Sequence, residues 1–293
     1  MNKAAVIDLG SNSIRMGIFH VENGKLVQSE RFRKHVRISE GLTIDECLQK
    51  EPMERTVKVV GEFKEILEQM GIKEVKMVAT EALRRAKNSD VFVSEVYDKY
   101  GITVEIINGE KEAEYDVRAA CISVGYNDFY MIDTGGGSME IALVKDREIV
   151  KSCCLPLGSV VMTEKFRPDE TGYNELERFI TYELIKSEVI AVKNLPVVAL
   201  GGSNKELAKI HSGMAEEIDG YKFSYQDARQ QYENLKSMSC EERKSVKVLD
   251  VKRADTIVSG LCPLMVLGVL ADAKEITFST GSVREGVAAD MLL

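Results

Sequence analysis

Tryptophan is absent from this 293-residue chain, and proline occurs only five times. The three histidines, His20, His35 and His211, are scattered, which excludes a histidine-based zinc cluster. No apolar run reaches the ~18 residues that a membrane span requires, and the longest apolar region, around Leu261 to Ala271, is too short. The six cysteines form no C-x-x-C pair, and Cys153 and Cys154 are vicinal, a spacing that seldom bridges. Reduced thiols in a cytoplasmic protein are therefore expected. Met1-Asn2-Lys3 leads straight into a strand-like run carrying Asp8, so no signal peptide is expected. Positive charge is also in deficit. Lys and Arg total 39 against 47 Asp and Glu, for a net charge of −8. That balance argues against nucleic acid as a partner, and an anionic substrate would require the cations to gather at one site.

Hydrophobic content of 44% and charged content of 29% are ordinary for a globular protein, and the length suits two domains. The stretch that organises the chain is Ile132-Asp133-Thr134-Gly135-Gly136-Gly137-Ser138-Met139-Glu140, framed by Phe129-Tyr130-Met131 and Ile141-Ala142-Leu143-Val144. Two β-rich runs around a glycine turn predict a hairpin. Consecutive glycines expose backbone N–H groups, and a concave row of amides binds anions, phosphate oxygens among them. Asp133 and Glu140 add two hard oxygen ligands, which suggests a Mg²⁺ bridging protein and phosphate. A tight turn whose glycines satisfy backbone geometry alone is the competing reading.

A second copy bears on that choice. In Ala4-Ala5-Val6-Ile7-Asp8-Leu9-Gly10-Ser11-Asn12-Ser13-Ile14, Ile7 matches Ile132, Asp8 matches Asp133, Gly10 matches Gly135 and Ser13 matches Ser138. A repeat at about half the chain length predicts two similar domains facing each other across a cleft, each with a phosphate loop.

Between the two copies the pattern alternates strand and helix. Arg31 to Arg37 is a positive strip, either a solvated strand edge or an anion-steering surface. Thr56 to Met70 is a predicted helix, and Val75 to Ala79 a strand running into Thr80-Glu81-Ala82-Leu83-Arg84-Arg85-Ala86. Arginines at a strand's end suit bidentate phosphate contact, or else mark a surface loop. Asp90 to Tyr100 is another helix. Ile102 to Ile107 then leads through Asn108-Gly109 into a helix whose first turn holds Glu112. That carboxylate is placed to act as a general base on water, or merely to complement the helix dipole. Further on, Glu175 to Val189 is amphipathic, and Pro196 to Leu200 runs into Gly201-Gly202-Ser203-Asn204, either a nucleotide-friendly junction or a plain turn. Ser224 to Arg243 reads as mostly helical. Thr256 to Ala271 is an apolar helix, either core or the interface of a homodimer. Ile276 to Ser279 is the last strand, before a closing helix.

These motifs resemble the exopolyphosphatase / guanosine pentaphosphate phosphatase (Ppx/GppA) family, in order and over essentially the whole chain. Ile7 to Ser13 and Ile132 to Glu140 resemble its two phosphate motifs, Thr80 to Ala86 its arginine loop, Asn108 to Ala113 its catalytic glutamate segment and Gly281 to Gly286 its C-terminal signature. The resemblance implies an α/β protein of two similar actin-like lobes (sugar kinase/Hsp70/actin, ribonuclease H-like), with residues 1–121 and 122–293 as the lobes. It implies Mg²⁺- or Mn²⁺-dependent release of a terminal phosphate from polyphosphate or guanosine pentaphosphate, in the stringent response. Glu112 is then the catalytic base, and Asp133, Glu140 and Asp8 the metal ligands. Gly10, Ser11, Asn12, Ser13, Arg84, Gly135, Gly136, Gly137 and Ser138 are then the phosphate-binding residues.

There are departures from the family pattern. Lys111 stands where the family usually has another Glu, and Gly201 to Glu206 replaces a more Thr-rich loop. Longer members continue into helical C-terminal domains that extend the polyphosphate channel, so lower processivity on long chains is expected here. A small-molecule kinase of the same fold and a non-catalytic polyphosphate or alarmone sensor are the alternatives. The kinase would need an adenosine pocket. The sensor would not need the water-activating carboxylate.

Overall fold

Lys3–Leu9 (β1) and Ser13–Glu22 (β2) pair antiparallel across the Gly10–Asn12 turn, with Asp8 opposite Arg15. The computed structural model describes residues 3–42, 46–216 and 218–293. Lys25–His35 (β3) lies outside β2, while Glu74–Ala79 (β4) and Val104–Ile106 (β5) add parallel strands on the other side. The sheet order is β3-β2-β1-β4-β5. Ile7, Leu9, Ile14, Met16 and Ile18 point to a buried side covered by Val57, Val60, Phe63 and Leu67. These last four recur at helical spacing on Lys50–Gln69, the helix expected over 56–70 with two more turns at its start.

The triple-glycine segment forms the same unit again. Phe129–Thr134 (β6) pairs antiparallel with Met139–Lys145 (β7), which pairs with Glu148–Leu155 (β8). Val197–Leu200 (β9) runs parallel beside β6. Lys222–Ser224 (β10) and Glu275–Phe278 (β11) complete the order β10-β11-β9-β6-β7-β8. Ile257–Leu270 is buried on nearly all sides and packs against the helices Ser159–Phe166, Asn174–Lys186 and Gly202–Ser212, so it is core. The region expected as mostly helical over 224–243 is two helices, Tyr225–Ser237 and Cys240–Arg243, the second started by Ser239 in a capping box with Glu242.

The chain divides into two compact units, Met1–Tyr115 with Val283–Leu293, and Asp116–Ser282. The expected boundary at 121/122 and the division at Tyr115/Asp116 both fall inside the helix Gly109–Ser123. The closing helix Val283–Leu292 packs its Val283, Val287 and Ala288 with Val6, Phe19 and Val78 of the first sheet. Nothing local in its sequence marks that return. All six cysteines are free thiols, and no helix among the described residues is long and apolar enough to cross a membrane.

Candidate active site

In the first unit the turn after β1 is closed by Gly10 N–H donating to the Ser13 carbonyl at 3.1 Å. The amides of Val36 and Arg37 donate to the Asn12 carbonyl at 3.1 and 3.0 Å, and the Ser39 hydroxyl donates to the Ser11 carbonyl at 3.1 Å. The loop's carbonyls are thus tied back to the chain after β3. The Ser13 hydroxyl accepts from Arg33 at 3.3 Å and lies 3.3 Å from His35 Nδ1, so part of the positive strip on β3 reaches the loop. Asp8 is set among Arg15, Arg284 and Glu285. Burial pushes its carboxyl up, and the two arginines oppose that rise.

Glu112 sits in the first turn of Gly109–Ser123, after β5, where Asn108 accepts from Lys111 N–H at 2.8 Å and starts the helix. Its side chain is buried, and its Oε2 accepts from Arg84 Nη1 at 2.8 Å. The same Arg84 nitrogen donates to the Ile107 carbonyl at 2.8 Å, and Arg84 Nη2 donates to Glu81 Oε2 at 2.8 Å. Arg84, expected as a phosphate ligand, is therefore brought together with Glu112 and Glu81.

In the second unit the glycine turn closes as the first one does, with Gly135 N–H donating to the Ser138 carbonyl at 3.0 Å. The carbonyls of Gly137, Gly135 and Gly136 accept from the amides of Gly158, Ser159 and Val160 at 3.0, 2.9 and 3.0 Å. A Cβ at Gly158 would lie 2.3 Å from the Gly136 carbonyl oxygen, so only glycine permits this approach. Asp133 and Glu140 are cross-strand partners, which places both carboxylates on one face of the sheet. Gly201 holds φ +89°, and a Cβ there would lie 2.3 Å from Asp133 Oδ1, so the carboxylate rests against bare backbone at the start of Gly202–Ser212. A helix N-terminus favours negative charge at that place. Thr134 Oγ1 and Ser203 Oγ are buried without a hydrogen-bond partner.

Three residues of this neighbourhood carried no sequence signal. Gly158 is fixed by a contact 22 residues back along the chain, at Gly136. Arg253 lies in an unremarkable polar stretch, yet its guanidinium would sit 2.2 to 2.5 Å from a Cβ on Gly202. Cys154 donates its thiol to Glu140 Oε1 at 3.1 Å. That contact could have been read only from the β7–β8 register.

A protein-family model, the Ppx/GppA phosphatase family, matches residues 18–293. The chain belongs to the Ppx/GppA phosphatase family. A crystal structure of the Aquifex aeolicus Ppx/GppA family member matches with a TM-score of 0.88 and 28% identity, covering 99% of this chain and 97% of that one. The fold is accordingly the actin-like α/β fold, with a ββ hairpin and glycine-containing turn in each unit. The guanosine-5'-triphosphate,3'-diphosphate pyrophosphatase of Photobacterium profundum is 28% identical over 306 residues, covering 98% of this chain. A bifunctional 3-dehydroquinate synthase/phosphatase of Fusobacterium nucleatum is 29% identical over 282 residues, covering 87%. This chain spans 59% of the first relative's length and 41% of the second's.

The donors present fit a hard divalent cation. No group of three or more His, Cys, Asp or Glu side chains converges into a cage among the described residues. Mg²⁺ does not need one, because it takes one or two carboxylates and fills its other positions with waters and substrate phosphates. Asp133 and Glu140, paired across β6 and β7 beside a glycine turn, are a donor set of that kind.

Proposed function

We propose that the chain is a metal-dependent phosphohydrolase that releases the terminal phosphate of polyphosphate or guanosine pentaphosphate. The observation that carries this reading is the twin strand–turn–strand unit. Each turn is closed by the same glycine-to-serine hydrogen bond, and each first strand bears a carboxylate, Asp8 or Asp133. Exposed backbone amides at each turn suit phosphoryl oxygens. The name of the Photobacterium relative points to guanosine pentaphosphate.

In this mechanism the amides of the Gly10–Ser13 and Gly135–Ser138 turns, with the Ser11, Asn12, Ser13 and Ser138 side chains, hold phosphate oxygens. Glu112 accepts a proton from the attacking water as its oxygen bonds to the terminal phosphorus. The bridging P–O bond breaks, and its electron pair leaves with the shortened chain or nucleotide. Arg84, bonded to Glu112 in the structure, orients that carboxylate and offers its guanidinium to the developing charge. Asp133 and Glu140 would hold the Mg²⁺ or Mn²⁺, with Asp8 a third carboxylate in the first unit. When bound, the ion supplies charge neutralisation to the phosphate oxygens.

The test is inorganic phosphate released from polyphosphate and, separately, from guanosine pentaphosphate, with Mg²⁺ and with chelator. Release that needs the metal supports the reading, and the faster substrate names the preference. Binding of either compound with no release would replace it with the sensor.

A further inference from the structure

Glu140 is buried at 1% exposure, and Cys154 lies directly opposite it on the neighbouring strand. In the same register Glu140 faces Asp133 on its other side. Asp133, Glu140 and Cys154 thus form one row across β6, β7 and β8, on a single face of the sheet. The other thiol of the vicinal pair belongs to the opposite face. Cys153 is opposite Ile141 and packs against the core with it, and burial pushes its thiol up. One cysteine of the two therefore meets the carboxylate row, and the alternation of the strand determines which one.

The contact is directional. Cys154 Sγ donates to Glu140 Oε1 at 3.1 Å. A hydrogen bond from outside fixes a ligating carboxylate in one orientation, and changing such a partner costs roughly 10–100-fold in metal affinity. A hydroxyl at this place would keep the donor, whereas a methyl would remove it.

We propose that Cys154 is a positioning residue, whose thiol holds the Glu140 carboxylate in the orientation that takes the divalent cation. The inference rests on the metal reading of Asp133 and Glu140 proposed above. It gives the half-buried Cys154 a task that packing alone would not require.

The test is Mn²⁺ binding to the full chain, followed by electron paramagnetic resonance, for wild type, Cys154→Ser and Cys154→Ala. Thermal unfolding of the metal-free proteins is measured in parallel. Expected is a dissociation constant raised about 10-fold in Cys154→Ala and within about 3-fold of wild type in Cys154→Ser, with unchanged unfolding temperatures. Equal Mn²⁺ affinity in wild type and Cys154→Ala would overturn this inference alone. So would equal weakening in both variants, because the hydroxyl would then have failed to rescue. A wild type that binds no Mn²⁺ would overturn the metal reading and this inference with it.

Discussion

Arg84 Nη1 donates to Glu112 Oε2 at 2.8 Å, and both side chains are largely buried, at 19% and 10% exposure. Glu81 grips the remaining side of the guanidinium, through Nε at 3.2 Å and Nη2 at 2.8 Å. The fork geometry is specific to arginine, so Arg84→Lys is expected to lose most of the function of the site. A drop of about 10²-fold in kcat, near that of Arg84→Ala, is the expected result in steady-state phosphate release. Full activity in Arg84→Lys would show that a point charge suffices.

Glu81→Gln tests the support of that fork. It keeps an acceptor for Arg84 and removes the charge, so a loss of about 10-fold in kcat/KM is expected, close to 1.4 kcal/mol. Glu81→Ala should lose more, because Arg84 then has fewer partners holding it in line with Glu112.

Gly158 and Gly201 are expected to resist even alanine. At Gly158 the added methyl meets the backbone of Gly136 and Gly137 at 2.2 to 2.4 Å, which no side-chain rotation relieves. At Gly201 it meets Asp133 Oδ1 at 2.3 Å, from a backbone at φ +89°. Each alanine variant should lose about 1–3 kcal/mol in urea unfolding. Gly201→Ala should also weaken Mn²⁺ binding by displacing Asp133. An alanine variant with wild-type stability would contradict the close approach.

Arg243, 0% exposed, makes a two-pronged contact with Asp169 at 2.8 and 2.9 Å, and Tyr173 joins the group. Burial raises the Asp169 carboxyl, but hydrogen bonds from Arg243 and Tyr173 outweigh it and hold the carboxyl below its ordinary 3.8. A lowered carboxyl contributes stability above its unfolded value, and that stability is lost as pH falls through the folded value. Asp169→Asn should therefore destabilise by about 2 kcal/mol at neutral pH. That is less than the roughly 3–5 of a fully buried pair, because the Asp169 side chain is 37% exposed. The difference from wild type should stay constant down to about pH 4 and shrink below it. Urea unfolding at pH 7, 4 and 3 checks both the size and the sign.

The α/β class and the twin hairpins were legible because they are local. Near-continuous apolar runs on either side of Gly10 and Gly135 specify strand, turn and strand within 20 residues. The position of Glu112 in a helix's first turn was legible for the same reason, since a helix start after a short strand puts that turn at a defined place. What stayed hidden depends on distant pairing. The Cys154 thiol reaches Glu140 only through the β7–β8 register, Arg253 reaches Gly202 across some fifty residues, and Gly158 matters only because Gly136 lies against it. The return of Val283–Leu292 to the first sheet is hidden too, because its valines and alanines would suit any apolar surface.

The most direct test of the account is phosphate release by Glu112→Gln, measured beside wild type with saturating Mg²⁺ and with Mn²⁺ binding as a check on the folded site. Expected is a loss of at least about 10²-fold in kcat, with metal binding retained, because the variant keeps the shape of the side chain and loses its ability to take a proton from water. Activity within a few-fold of wild type would contradict it and remove Glu112 from the reaction.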